Sequence, residues 1–113
     1  MSKNLPNTQL MRSVRNAVQN ARGLPDGVQV FLFGSVCYRD HPNDIDMLFV
    51  YDASLLPPRS AYGAFRPLMA EIEAMVDIPI RSVVLSQDEA RESGFVEEVE
   101  PIELRSTRSV VGA

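Results

Sequence analysis

The stretch that decides the fold is residues 31–52, "FLFGSVCYRDHPNDIDMLFVYD", in which a polar loop joins two apolar runs. The first run ends at Gly34 and Ser35, and the second begins with Asp44 and Asp46. Alternate residues of a strand project from the same face, so two carboxylates at these positions have Cα atoms roughly 7 Å apart. Like charges that close repel each other. The sequence therefore predicts a neutralising group beside the two carboxylates.

Length and composition predict one soluble domain. The chain has 113 residues, of which 45% are hydrophobic, and both values are ordinary for a globular domain. Its apolar runs are shorter than the ~18 residues that a membrane-spanning helix needs. The net charge of -4 argues against broad electrostatic capture of nucleic acid or of an anionic membrane. We therefore expect no membrane association and no general nucleic-acid binding.

Cysteine usage predicts a reducing compartment. Cys37 is the only cysteine, so no disulfide can form within the chain. Residues 1–20 lack the apolar core of a secretion signal. We expect the protein to be cytoplasmic.

Apolar residues at helical spacing predict two longer helices, over residues 10–21 and 68–76. Pro67 is tolerated only in a first turn, so the second helix either begins near Arg66 or is kinked after residues 61–65. The capping-box pattern from Ser86 to Glu89 predicts a third, short helix that ends near Gly94.

Three strands are predicted, at Val28–Phe33, from Asp44 to Tyr51, and at residues 78–85. Pro79 near the start of the third strand favours an edge position, because proline donates no ladder hydrogen bond. In the second strand, one face carries Ile45, Met47, Phe49 and Tyr51, and the other carries Asp44, Asp46, Leu48 and Val50.

The C-terminal region is harder to assign. Residues 95–104 fit neither a helix nor a strand clearly. Residues 105–113 are small and polar, which predicts a flexible tail after a single domain of residues 1–104.

The turn and the two acids together suggest a phosphate and metal site. Gly34 lets the backbone turn and a ligand approach closely, Ser35 adds a hydroxyl, and the amides of a following helical turn can bind phosphate. Mg²⁺ commonly takes one or two carboxylates, here Asp44 and Asp46, together with water and substrate phosphates. A two-ion site, which could orient an attacking hydroxyl and stabilise leaving pyrophosphate, normally needs a further carboxylate.

Gly34-Ser35, a loop, and Asp44-Ile45-Asp46 before an apolar strand resemble the motif of the nucleotidyltransferase superfamily that includes DNA polymerase β. The similarity covers roughly residues 10–85 and is greatest to the minimal, single-domain members. It implies an α/β (α+β) fold, with a small mixed sheet flanked by helices. It also implies Mg²⁺-dependent transfer of a nucleotidyl group, AMP from ATP by family preference, to a protein or small-molecule hydroxyl. Gly34 and Ser35 would hold the triphosphate, and Asp44 and Asp46 would ligate the metal.

The chain departs from this family in two places. Eight residues separate Ser35 from Asp44, which is shorter than the usual connection in minimal members. The family also has a third Asp or Glu inside the strand predicted at residues 78–85, where this chain carries Arg81 and Ser82. Asp77, just before that strand, is the nearest substitute as a third catalytic acid. Without a third acid, general-base activation of the acceptor would be weakened, by a factor on the order of 10² to 10⁴.

Several alternatives stay open from the sequence. Arg39 and His41 lie in the loop, where Arg39 could pair with a phosphate oxygen or both could be surface residues. Minimal members similar to this chain pair with a helical protein in toxin–antitoxin arrangements, so a protein partner or a homo-oligomer is expected to supply the acceptor surface. A catalytically degraded module that acts by binding a partner protein is the alternative function. A subunit of a larger polymerase-like enzyme is a third.

Overall fold

The computed structural model describes residues 7–106 and contains a four-stranded sheet. Its strands are β1 (Val28–Phe33), β2 (Ile45–Tyr51), β3 (Ile80–Ser86) and β4 (Ile102–Arg105), in the order β3-β2-β1-β4. β1 runs antiparallel to β2 and β4, whereas β2 and β3 are parallel. The sheet is therefore mixed, and β3 lies at an edge, as the proline before it predicts.

Helices cover both faces of this sheet. They are α1 (Asn7–Gln19), α2 (Pro58–Val76), α3 (Gln87–Ser93) and α4 (Phe95–Val99), and a short 3₁₀ helix (Gly34–Cys37) follows β1. The described part of the chain is thus a small mixed sheet flanked by helices, which confirms the predicted α/β (α+β) fold class. None of the helices within residues 7–106 is both long enough and apolar enough to cross a membrane.

The alternation of β2 separates two apolar clusters, as predicted. One face of β2 carries Ile45, Met47, Phe49 and Tyr51. This face packs into the main core against buried residues of α1 and α2. Leu48 and Val50 project to the opposite face. There they join Phe31 and Ala90 in a smaller cluster against α3 and α4. Asp46 shares this second face, because it lies two residues before Leu48.

Of the two alternatives predicted for the second helix, a start near Arg66 is wrong. α2 begins with Pro58, a proline in the first turn of the helix, and it continues through Pro67. An internal proline removes one backbone hydrogen bond and typically costs about 3 kcal/mol. Pro67 is exposed, whereas buried side chains such as Phe65 and Leu68 lie on either side of it. Phe65 also stacks on Phe49 at 4.6 Å between ring centroids, so core packing keeps the helix continuous.

Near both ends of the described residues, the limits of some elements differ from the sequence expectations. α1 ends at Gln19, two residues before the predicted limit at Ala21. The unassigned residues 95–104 contain α4 and most of β4. Arg105, placed in the predicted tail, is the last residue of β4, and its guanidinium donates to the Pro25 carbonyl at 3.2 Å. Residues 107–113 of that tail lie outside the described residues.

Candidate functional site

Strand pairing brings the acidic pair to the turn after β1. Asp44 immediately precedes β2, and Asp46 is the second residue of that strand. Phe33, the last residue of β1, lies opposite Asp46 in the antiparallel register. Gly34 follows Phe33 directly, so the first residue of the 3₁₀ helix is placed beside the Asp46 side chain.

The contact between Gly34 and Asp46 requires a glycine for two reasons. Gly34 has φ +77°, a left-handed conformation that side chains with a Cβ rarely adopt. A Cβ at this position would overlap Oδ2 of Asp46 and would lie only 3.1 Å from its Cγ. The turn and the carboxylate therefore adjoin each other.

The neutralising group beside the acids is Arg81. In the parallel register of β2 and β3, Arg81 lies opposite Asp46, so both side chains share one face. Nη1 of Arg81 lies 3.7 Å from Oδ2 of Asp44, and Nε lies 3.9 Å from Oδ1 of Asp46. The Arg81 side chain is 73% exposed, against 30% for Asp44 and 20% for Asp46. The guanidinium thus pairs loosely with both carboxylates from the solvent side.

In the sequence, Arg81 stands where the family resemblance implies a third acid. Its role as a counter-ion was missed, because the register of two parallel strands joined by a 19-residue helix is set by tertiary packing. A signal was nevertheless present in the sequence: two acids needed a cation, and Arg81 is the only Lys or Arg in the predicted third strand.

Burial and charge both act on the acidic pair. Burial raises the pKa of Asp46, the negative charge of Asp44 raises it further, and Arg81 opposes both by lowering it. Burial, followed by the charge of Asp46, also raises the pKa of the Cys37 thiol. Cys37 is partly buried and packs against the main core, which together with the raised pKa indicates a packing role rather than a reactive thiol.

The other predicted site residues lie around this centre. Ser35 is partly buried, and its backbone carbonyl accepts from the N–H of Arg39 at 2.7 Å. Arg39 itself is exposed, as is His41. Asp77 is exposed at the C-terminus of α2, in a left-handed conformation with φ 56°. The structure therefore joins Gly34 and the acidic pair, and leaves Asp77 at the end of a helix.

The donor set fits one magnesium ion better than two. Within residues 7–106, no three or more His, Cys, Asp or Glu side chains form a group that could hold a metal ion. Asp77 accordingly does not complete a three-carboxylate site with Asp44 and Asp46. Two carboxylates can hold a single Mg²⁺ when water or phosphates complete its octahedral shell. A metal at this site is therefore expected to bind more tightly when a phosphate-bearing ligand is present.

A cleft of about 350 Å³ opens beside the acidic pair. It is lined by Phe33, Asp46, Arg81, Ser82, Val83 and Phe95. The rings of Phe33 and Phe95 meet edge to face, with centroids 5.4 Å apart. The cleft is therefore lined both by an aromatic pair and by charged groups.

Comparison with known proteins does not identify the chain. No protein-family model, curated protein or solved structure matches it. The resemblance to nucleotidyltransferases consequently remains a prediction from the sequence motif, and the functional assignment depends on the residues and geometry of this site.

Proposed function

We propose that this protein is a nucleotidyltransferase that transfers AMP from ATP, with Mg²⁺, to an oxygen of a protein or small molecule. The observation that supports this most is the contact between Gly34 and Asp46. It brings the turn expected to hold phosphates against Asp46, one of the two carboxylates expected to hold a metal. A phosphate group at Gly34 and Ser35 would then lie within reach of an ion held by those carboxylates.

Each group has a distinct task in this proposal. Asp44 and Asp46 would hold the metal jointly with the phosphates, and Gly34 and Ser35 would bind the triphosphate. Bound Mg²⁺ supplies charge neutralisation at the transferring phosphoryl group. The raised pKa of Asp46 reflects a carboxylate whose charge is poorly compensated in the protein alone, which favours a cationic ligand.

Arg81 is only a weak obstacle to metal binding. Its two ion pairs are 3.7 and 3.9 Å long, and its side chain is mostly exposed. Exposed ion pairs of this kind contribute about 0–1 kcal/mol each. A divalent ion that coordinates the carboxylates directly can therefore displace the guanidinium at low cost.

The test is transfer of label from ATP carrying ³²P at the α-phosphate. The wild-type protein, Mg²⁺ and cell extract should yield a labelled product, and Asp44→Asn should abolish the label. Asp40→Asn is the matched control, because Asp40 is an exposed acid of the same loop. It should retain transfer. Label transfer that survives in Asp44→Asn would contradict the proposal.

A second candidate function is a binding module that keeps the fold but works by occupying a partner protein. The observation that favours it is Arg81, which pairs with both carboxylates where catalysis would need a third acid. A toxin-like helical protein or a second copy of this chain would be the partner. A wild-type protein that transfers no label but copurifies with one protein at fixed stoichiometry would support the module over the enzyme.

A further inference from the structure

The three functional groups lie in order across three neighbouring strands. Gly34 follows β1, Asp46 belongs to β2, and Arg81 belongs to β3. Adjacent strands are about 4.8 Å apart, so the backbone of Arg81 lies about 10 Å from that of the glycine turn, with the carboxylates between them. A triphosphate at Gly34 would thus lie beyond the end of β1, and Arg81 would face a ligand in the cleft that Phe33, the last residue of β1, also lines.

We infer that Arg81 binds an anionic acceptor, a carboxylate or a phosphate group, in the cleft lined by Phe33 and Phe95. This inference rests on the proposed nucleotidyltransferase activity and replaces the hydroxyl acceptor that the family resemblance implies. Arg81 is then a specificity residue, because its guanidinium selects the charge of the acceptor. The two phenylalanine rings favour an acceptor whose anionic group is attached to an apolar or aromatic body.

The chemistry of arginine supports an anion over a hydroxyl. A guanidinium has five donors and no acceptor, and it stays protonated in proteins, so it cannot take a proton from a hydroxyl. A carboxylate or phosphate is already ionised at neutral pH and needs no general base. An acceptor of this kind makes the missing third acid unnecessary.

The transfer step balances without a proton. The acceptor oxyanion donates an electron pair to the α-phosphorus of ATP and forms a new P–O bond. The bond from that phosphorus to the bridging oxygen breaks, and pyrophosphate leaves with its electron pair. The product is an anhydride: acyl-AMP from a carboxylate, or a diphosphate bond from a phosphate.

The structure leaves Arg81 available for such a ligand. Its separations from the carboxylate oxygens exceed the range of good hydrogen bonds, and its side chain is 73% exposed at the cleft. When a divalent ion neutralises Asp44 and Asp46, the attraction that holds the guanidinium over them is lost. Metal binding should therefore strengthen anion binding at Arg81.

Binding of small probes tests this directly. Phenyl phosphate and benzoate are the anionic probes, and benzyl alcohol is the neutral control. Binding is measured on the full chain by the NMR shifts of the Arg81 side chain and of nearby backbone amides. Both anions should bind, more tightly with Mg²⁺ than with EDTA, and the alcohol should not. Comparison of the two anions distinguishes a phosphate from a carboxylate preference.

Variants locate the effect at Arg81. Arg81→Gln should weaken anion binding about tenfold, the lower range for a hydrogen bond to a charged group. Arg91→Gln is the matched control, because Arg91 is 69% exposed and pairs with a carboxylate, that of Asp88. It should change nothing. Asp44→Asn should strengthen anion binding in EDTA by up to about fivefold, since it removes one competitor for the guanidinium.

Three results would overturn the inference. One is equal binding of benzyl alcohol, and another is undiminished anion binding in Arg81→Gln. The third is complete displacement of the anions by a nonhydrolysable ATP analogue with Mg²⁺, because Arg81 would then hold the nucleotide's own phosphates. If the protein transfers ³²P but binds no anion at Arg81, this inference is wrong and the proposed function stands. If the protein binds anions at Arg81 but transfers no label, the proposed function is wrong and the anion site stands.

Discussion

Replacement of Gly34 by alanine should destabilise the protein through two separable effects. The first is the left-handed backbone, φ +77°, which costs a residue with a Cβ about 1 kcal/mol. The second is the overlap of the new Cβ with the Asp46 carboxylate, which forces that side chain or the turn to move. Overpacking of this kind adds about 1–2 kcal/mol. Gly34→Ala should therefore lower the free energy of unfolding by about 2–3 kcal/mol.

Gly94 provides the control that separates these effects. It also has a left-handed conformation, φ +67°, but a Cβ there meets no atom within 4 Å. Gly94→Ala should thus cost only about 1 kcal/mol. Urea denaturation followed by circular dichroism measures both variants, and the midpoints are compared at an unchanged slope.

A double-mutant cycle assigns the difference to Asp46. Asp46→Ala removes the overlapping oxygen and Cγ and leaves a Cβ at 3.4 Å, an ordinary contact. Gly34→Ala should then cost only about 1 kcal/mol in the Asp46→Ala background, a coupling of about 1–2 kcal/mol. If Gly34→Ala costs no more than Gly94→Ala, or shows no coupling to Asp46, the turn and the carboxylate do not adjoin as described.

Three further predictions follow from the same site and its neighbourhood. The pKa of Asp46 is raised in the folded protein, so ionisation of this group opposes folding. The free energy of unfolding should therefore fall as pH rises from about 4 through the folded pKa. Asp46→Asn should remove that fall and stabilise the protein at pH 7, as urea denaturation at several pH values would show; equal pH profiles would contradict it. Arg81→Asp should add a third carboxylate and tighten Mg²⁺ binding in calorimetry, whereas Arg81→Asn, which adds no charge, should have a smaller effect. Ser86→Ala should cost about 1 kcal/mol, because Ser86 caps α3 by accepting from the Glu89 N–H at 3.1 Å, and a loss below 0.3 kcal/mol would show that the cap is dispensable.

Local patterns in the sequence predicted much of the fold. The two faces of β2, the capping box before α3 and the edge position of β3 follow from side-chain alternation, cap chemistry and proline, which act over a few residues. Pro67 made a helix start near Arg66 a plausible prediction, because the rule for proline considers only local hydrogen bonds. α2 nevertheless continues through Pro67, since apolar residues on both sides of it are buried.

The site was predictable only in part. The order Gly34, Asp44 and Asp46 pointed to a turn and an acidic pair, which the antiparallel register of β1 and β2 brings into contact. The parallel register that places Arg81 over both acids depends on how α2, which connects β2 to β3 in the sequence, packs against the sheet. No periodicity in the sequence specifies that register. The residue that changes the chemistry most was therefore the one that sequence reasoning interpreted only as a missing carboxylate.

We propose above that the acidic pair and the glycine turn form one site for metal and triphosphate. A crystal structure of the protein with a nonhydrolysable ATP analogue and Mg²⁺ would test this. We expect phosphates at Gly34 and Ser35, a cation shared between them and Asp44 and Asp46, and Arg81 released from both carboxylates. Phosphates bound elsewhere, with Arg81 still paired to the two acids, would contradict it.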